Sequence, residues 1–236
     1  MTKPANLAVV ARRSEPPDSL DYFPTPPWAT RALINCVLTQ RFHNDPSLVI
    51  HEPACGEGHM AAVLREYYAC VHASDIFPYG YGDVADYLDD GETPFAHWVI
   101  TNPPFNKAAE FLRRALSHPV SKAGIGVAFL VRSSWLEGAK RYEKIFEPYP
   151  PKLIAQFAER VPIYKGRWVP NGKTATAYSW VIFTADHRGD PAYTWIPPGQ
   201  RKRLTRPDDA MRFAAATEVP LLRTVADLYE PAPVEA

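Results

Sequence analysis

Cysteine is scarce in this chain of 236 residues, and it has no long apolar run. The cysteines, Cys36, Cys55 and Cys70, are odd in number and form no C-x-x-C pair, which excludes a disulfide framework and disfavours a zinc site. No apolar run approaches the roughly 20 residues that span a bilayer, and no signal-peptide stretch follows Arg12 and Arg13. We therefore expect a cytoplasmic protein that binds neither a membrane nor a metal ion.

Net charge is also missing, because 26 lysines and arginines balance 26 aspartates and glutamates. Charge as a whole gives no general attraction to nucleic acid, so a nucleic-acid surface would have to come from local segregation of basic residues. Hydrophobic residues make up 46% of the chain, which is typical of a globular domain. Proline is abundant, and its 25 residues concentrate near the termini and in loops, where they interrupt regular structure.

Strand-like and helical segments alternate along the middle of the chain. The strand-like runs lie at 48–54, 71–74, 98–101, 125–131, 153–157 and 179–184, and the helical patterns at 28–38, 59–68, 108–116 and 139–146. This alternation predicts an α/β architecture with helices on both faces of a sheet. We expect a flexible tail over 1–20, one domain over 21–186 and a partly irregular extension over 187–236 with a short helix near 208–216. Thr25 or a neighbour is expected to cap the first helix.

A glycine-bearing turn follows the first predicted strand and precedes a predicted helix. Its sequence is Glu52-Pro53-Ala54-Cys55-Gly56-Glu57-Gly58. Glycines let a ligand approach the backbone closely, and a helix N-terminus offers unpaired N–H groups. Asp75 ends the next strand 19 positions after Gly56 (75 − 56 = 19), close to the spacing of about 20 for an acid that binds a ribose diol. Ala61 replaces the third glycine of a G-x-G-x-x-G fingerprint, so a tight strand–helix connection is the structural alternative.

The second motif is Asn102-Pro103-Pro104-Phe105, directly after the strand predicted at 98–101. Two prolines fix φ and remove two N–H donors, so the turn presents carbonyls and the Asn102 side chain as acceptors. An amino nitrogen that attacks a methyl carbon needs acceptors to hold its N–H bonds, and Phe105 offers a face on which a planar base can stack. The alternative is a proline-rich turn with no chemical role.

Together with Asp21 to Pro27 (DYFPTPP), Ser74-Asp75 and Gly82-Asp83, these segments resemble motifs X, I, II, III and IV of the class I S-adenosylmethionine-dependent amino-methyltransferases. The resemblance is to the adenine-N6 DNA methyltransferases, including small phage-like members with the NPPF motif, and covers roughly residues 21–185. It implies a Rossmann-like sheet of seven strands with helices on both faces and an antiparallel last strand. It also implies S-adenosylmethionine binding at the carboxyl ends of the strands.

The resemblance assigns roles by position. It places the methionine end of the cofactor on Phe23, Thr25 and Pro26, and the methionine and ribose among Glu52, Pro53, Ala54, Gly56 and Gly58. It implies that Asp75 binds the ribose hydroxyls, that Ile76 packs on the cofactor adenine and that Asp83 binds the amino group of the cofactor. For this last role, Asp86, Asp89 and Asp90 are alternatives to Asp83. The target base would be held by Asn102, Pro103, Pro104 and Phe105.

Basic residues segregate in two later segments that contain no acid, 160–173 and 200–206. In the first, we expect Tyr164, Lys165, Arg167, Trp168 and Lys173 to bind substrate, the cations on phosphates and the aromatic rings on bases. The second carries Arg201, Lys202, Arg203 and Arg206. Solvated basic loops are the alternative. The sequence has no long target-recognition domain of the kind found in this family, so specificity is low or depends on a partner.

The predicted function is therefore methyl transfer from S-adenosylmethionine to N6 of adenine in DNA. The same reaction on RNA or on a protein glutamine is an alternative, although Phe105 and the first motif favour nucleic acid. A cofactor-binding or nucleic-acid-binding subunit without activity is a third possibility. Ser133 and Ser134 have no His/Asp relay in the sequence, which argues against a hydrolase.

Overall fold

Eight strands form one mixed sheet at the centre of the described residues. The computed structural model describes residues 21–117 and 126–213. The strands are β1 (Val49–Glu52), β2 (Cys70–Asp75), β3 (Asp83–Val84), β4 (Trp98–Thr101), β5 (Gly126–Arg132), β6 (Leu153–Phe157), β7 (Tyr178–Phe183) and β8 (Ala192–Ile196). Their spatial order is β3-β2-β1-β4-β5-β7-β6-β8. The predicted tail over 1–20 lies outside the described residues.

The strand order reverses direction between β1 and β4, which are parallel neighbours. From β1 the chain builds outward through β2 and β3, and it then returns to add β4 and β5 on the other side. Such a switch point leaves a crevice at the carboxyl ends of the two central strands, where α/β proteins bind ligands. The motifs that follow β1 and β4 therefore lie at the same edge of the sheet.

The predicted α/β class with a Rossmann-like sheet is confirmed, and among the described residues the sheet has eight strands where seven were expected. The antiparallel strand is β7, which lies between β5 and β6. The last strand within the described residues is β8, and it runs parallel to β6. The sheet thus continues beyond residue 186, because the edge of β6 pairs with a further segment.

Helices cover the sheet. They are α1 (Pro27–Leu33), which passes through a π-helical segment (Ile34–Leu38) into α2 (Thr39–Arg41), then α3 (His59–Leu64), α4 (Ala108–Ser117), α5 (Ala139–Arg141) with a π-helical continuation (Tyr142–Phe146), α6 (Gln200–Leu204) and α7 (Asp209–Phe213). A 3₁₀ turn (Ser133–Leu136) follows β5. Pro27 is at the first position of α1, where the missing N–H costs nothing. The expected side-chain cap is absent from this helix, because its N-cap residue is Pro26.

Two apolar layers fill the space between sheet and helices. Trp98 and Ile100 belong to the first layer together with α1 and α3, whereas Val99 belongs to the second together with Phe111 of α4. This alternation along β4 is the period of two expected of a strand with both faces buried. No helix within the described ranges is long and apolar enough to cross a membrane.

A buried ion-pair cluster ties the C-terminal helices to the sheet domain. Arg31 of α1, whose side chain is 1% exposed, donates two hydrogen bonds of 2.7 Å to Asp209 and two of 2.8 Å to Glu66. It also donates to the Leu204 carbonyl at 2.7 Å. Buried charges persist only when they are paired and hydrogen-bonded. One guanidinium therefore fixes α6 and α7 against α1.

Candidate active site

A loop over residues 21–26, here named the bridging loop, contacts the turn at 102–105, the NPPF turn. The Asn102 side-chain amide donates to the Phe23 carbonyl at 2.8 Å. The backbone N–H of Phe105 donates to the Asp21 carboxylate. Two residues of the bridging loop thus hold the start and the end of the NPPF turn.

The same loop contacts the turn at 55–58, the glycine turn, through Tyr22. The Tyr22 hydroxyl accepts a hydrogen bond of 3.4 Å from the Glu57 N–H, and its ring packs on Gly56. Asp21 and Phe23 therefore contact the NPPF turn, while Tyr22 between them contacts the glycine turn. The structure brings the two predicted motifs together through this loop as well as through the pairing of β1 with β4.

Glycine is required twice in the glycine turn. Gly56 has φ 51° and Gly58 has φ 83°, in the left-handed region that favours glycine. A side chain at position 56 would overlap the ring of Tyr22, and one at position 58 would overlap the ring of Tyr81. The backbone is therefore closely covered by aromatic rings at both positions.

Asp75, at the end of β2, hydrogen-bonds to the glycine turn. Its carboxylate accepts from the Gly56 N–H at 2.8 Å and from the Phe77 N–H at 3.0 Å. Burial raises the pKa of Asp75, although these N–H groups act in the opposite direction. The backbone N–H of Ile76 also bonds to this carboxylate, and the lone pairs that remain on its two oxygens can accept from a ligand hydroxyl.

Two other residues assigned to the cofactor lie beside Asp75 on the outer part of the sheet. Ile76 follows it directly and is 47% exposed, as expected of an apolar residue that covers a ligand ring. Asp83 lies on β3, exposed, next to Ser74 in the strand register. Phe23, Thr25, Pro26 and Pro53 are buried and Ala54 is half-buried around the two turns.

Glu52 ends β1 and is 2% exposed. Its Oε2 atom is buried and has no hydrogen-bond partner among the described residues. Burial raises the pKa of Glu52 well above its usual range, and the negative charge of Asp75 raises it further. A buried carboxyl oxygen without a partner is costly, so the position of Oε2 beside the glycine turn suits the binding of a cationic group.

Cys55, the neighbouring thiol, is buried as well. Burial, followed by the charges of Glu52 and Asp75, raises its pKa to about 12. A thiol of this kind is unreactive at neutral pH, and we assign it a packing role. Within the described residues, no group of three or more His, Cys, Asp or Glu side chains is arranged to hold a metal ion.

The NPPF turn presents one buried acceptor. Because the Asn102 Nδ2 atom donates to Phe23, its Oδ1 atom points away, and Oδ1 is buried without a partner among the described residues. The Pro104 carbonyl accepts from the Lys107 N–H at 2.9 Å and is thus already used. Among the side-chain atoms of the turn, Asn102 Oδ1 is therefore the acceptor that is available to a ligand.

The ring of Phe105 has two neighbours in this site. Its centroid lies 5.0 Å from that of Phe23, with the planes tilted by 37°. The guanidinium of Arg132, at the end of β5, lies over the Phe105 ring at 4.5 Å from its centroid. The sequence analysis did not assign Arg132 or Tyr22 to the site. Tyr22 could have been found, since it belongs to the DYFPTPP motif, whereas Arg132 is a single arginine at the end of a strand.

The first basic segment reaches the site through the bridging loop. Gly166 donates its N–H to the Tyr22 carbonyl at 2.9 Å. Arg167 and Lys173 are exposed, and Lys165 is half-buried. The Tyr164 hydroxyl is hydrogen-bonded to both backbone groups of Lys173, and its ring packs on Gly172, so this ring stabilises the segment itself.

The prediction for Trp168 is wrong. This residue was expected to stack on a nucleotide, but it is 5% exposed and packs with Val63 and Phe213.

The second basic segment is also partly used within the fold, because Arg201 donates to the Gly172 and Pro170 carbonyls and Arg206 pairs with Glu66 at 3.1 Å. Those two arginines support the structure instead of facing a substrate.

No protein-family model matches the chain, and no curated protein matches its sequence. Its structure is similar to that of a candidate RNA methyltransferase from Pyrococcus horikoshii, with a TM-score of 0.52 and 14% identity over 72% of this chain and 90% of that one. A modification subunit of a candidate type I restriction enzyme from Vibrio vulnificus is 14% identical with a TM-score of 0.48, over 81% of this chain and 51% of that one. The M protein of the type I restriction enzyme EcoKI is 18% identical with a TM-score of 0.48, over 68% and 43%.

The similarity to the Pyrococcus horikoshii protein shows that the two chains share a fold. The chain spans about half the length of the two restriction-enzyme subunits. At these identities the likeness concerns the fold alone.

Proposed function

We propose that this chain is an S-adenosylmethionine-dependent methyltransferase that acts on an exocyclic amino nitrogen, and that N6 of adenine in DNA is its target. The observation that carries the proposal is the buried, unpartnered Oδ1 atom of Asn102 in the NPPF turn. A buried acceptor without a partner is costly to maintain, and an amino group is the donor that it suits.

The residues of the glycine turn and the strand ends fit S-adenosylmethionine. The Oε2 atom of Glu52, which has no hydrogen-bond partner among the described residues, suits the ammonium of a methionine moiety. The free lone pairs of Asp75 suit ribose hydroxyls, and the exposed side chain of Ile76 suits an adenine ring. When bound, this cofactor supplies an electrophilic methyl group.

The chain's own residues would act on the amine by orientation and electrostatics. Asn102 Oδ1 would accept one N–H of the amino group and direct the nitrogen lone pair toward the methyl carbon. The same oxygen would stabilise the positive charge that develops on the nitrogen as the new N–C bond forms. The surplus proton of the methylated nitrogen then passes to solvent, since an amide oxygen is too weak a base to retain it.

Nucleic acid is favoured as the substrate by two features. Phe105 provides an aromatic ring at the acceptor, where a planar base can stack. The exposed cations Arg167 and Lys173 lie on the segment that hydrogen-bonds to the bridging loop, and they suit the phosphates of the same strand.

The test supplies labelled methyl donor together with duplex DNA, single-stranded DNA, RNA and protein extract in parallel reactions. Label in N6-methyladenine after digestion of DNA to nucleosides is the expected result, and Asn102→Ala serves as the inactive control. Label found only in RNA or only in protein would mean that the reaction is methyl transfer but that DNA is not the substrate. A chain that binds no donor in a calorimetric titration would not be a methyltransferase.

A further inference from the structure

Arg132 takes up the space beside Phe105 that a target base would need. Its guanidinium lies over the aromatic ring, 4.5 Å from the centroid. The Arg132 side chain is half-buried, and its Nε–H is buried without a partner among the described residues. A guanidinium is planar and stacks on aromatic rings in the same way as a nucleobase.

Two planar groups cannot stack on the same face of one ring. The Phe105 ring is also packed against Phe23, so the space around it is restricted. A base that stacks over Phe105 where Arg132 now lies must displace the guanidinium. The displaced cation, whose Nε–H has no acceptor among the described residues, would gain one by pairing with phosphate.

We propose that Arg132 holds the place of the target base on Phe105 in the free protein and binds a phosphate of the substrate strand once the base has entered. This inference rests on the proposed function, because it requires that a base binds at the NPPF turn. It makes Arg132 a residue that positions nucleic acid. The exchange replaces one stacking contact by another and adds a charged hydrogen bond, so it favours a base that arrives with its phosphate.

The experiment measures KM for an oligonucleotide at several salt concentrations with Arg132→Ala, Arg132→Gln and Arg132→Lys. Loss of one phosphate contact should reduce the slope of log affinity against log salt by about 1. We expect this reduction and a KM increase of roughly tenfold for the alanine and glutamine variants. The lysine variant keeps the charge and should keep the slope. Arg141→Ala is the matched control, because Arg141 also lies over an aromatic ring, that of Trp135 at 5.1 Å.

An unchanged KM and slope in the glutamine variant, with methyl transfer intact, would overturn the inference and leave Arg132 as a packing residue. Donor binding by calorimetry shows that each variant is folded, and the glutamine and lysine pair decides the question if the alanine variant is unstable. If the unmodified chain methylates no nucleic acid, the proposed function has failed. That result differs from an Arg132 substitution that changes neither KM nor the salt slope.

Discussion

Two residues in the site carry a buried oxygen without a hydrogen-bond partner among the described residues, Asn102 on the NPPF turn and Glu52 beside the glycine turn. In a folded protein such atoms are rare, and each one asks for an explanation. Their positions suit different ligands, because an amide oxygen accepts from a neutral amine whereas a carboxylate pairs with a cation. Substitutions at the two residues should therefore separate catalysis from cofactor binding.

Asn102→Ala should reduce turnover on the order of 100-fold or more, because it removes the acceptor that orients the amine and stabilises its charge. Affinity for the methyl donor should fall far less than turnover, since Asn102 is linked to the glycine turn only indirectly, through the bridging loop. Turnover is measured with labelled donor and affinity by calorimetry. A loss of donor affinity as large as that of Asp75→Ala would contradict this division of roles.

Glu52→Gln should stabilise the free protein at neutral pH by roughly 1 kcal/mol while weakening donor binding at least tenfold. Burial raises the pKa of Glu52 above its ordinary value of 4.5, so the folded chain keeps a proton that the unfolded chain has lost. The free energy of unfolding therefore falls as the pH rises from about 4.5 toward the raised pKa. Denaturant unfolding between pH 4 and pH 8 measures this decline. A Glu52→Gln variant whose free energy of unfolding declines in the same way would refute the prediction.

At the scale of a turn, Gly56 and Gly80 form a natural pair for comparison. Both have positive φ, 51° and 84°, but a side chain at 56 would overlap Tyr22 whereas one at 80 would meet nothing within 4 Å. Gly80→Ala should cost about 1 kcal/mol of stability from backbone conformation alone. Gly56→Ala should cost more and should weaken donor binding about tenfold or more, because Tyr22 must move. Thermal unfolding and calorimetry test the pair, and equal effects would mean that the Tyr22 contact is unimportant.

At the scale of the helices, the position of α7 depends on the buried pair of Asp209 with Arg31. Asp209→Asn would leave the guanidinium partly uncompensated, and we expect a loss of about 3 kcal/mol or more. Asp208→Asn is the control, since Asp208 is 48% exposed and pairs with Arg212 at 3.6 Å, and it should cost less than about 0.5 kcal/mol. Chemical denaturation measures both. Similar losses of stability in the two variants would show that the buried pair stabilises the protein no more than the exposed pair does.

For the molecule as a whole, the sequence predicts the elements of the inner sheet better than those of its edge. The bounds of β4 and β6 agree with the predicted runs, because these strands are apolar and bounded by turn residues. The strand β8 was missed. It is five residues long and mostly exposed, so its alternation is weak, and it forms because the edge of β6 is available for pairing. Local pattern alone cannot reveal a strand that depends on its neighbour.

The site was partly predictable for the same reason. Carboxyl ends of parallel strands meet at one edge, so the proximity of the glycine turn and the NPPF turn follows from the strand order. Side-chain environments do not follow from it. Trp168 looked like a nucleotide-stacking residue in an acid-free segment, but its ring fills a gap between α3 and α7. Arg132 gave no signal because a single arginine at the end of a strand has no recognisable pattern.

The bridging loop gives the two halves of the reaction a common support. Residues 21–23 contact the glycine turn through one side chain and the NPPF turn through its two neighbours, so we expect a shift at either turn to displace the other. Occupancy of one half should then alter the affinity of the other, and linkage requires that the factor be equal in both directions. Measuring donor affinity with and without oligonucleotide, and oligonucleotide affinity with and without a non-reactive donor analogue, would give that factor twice.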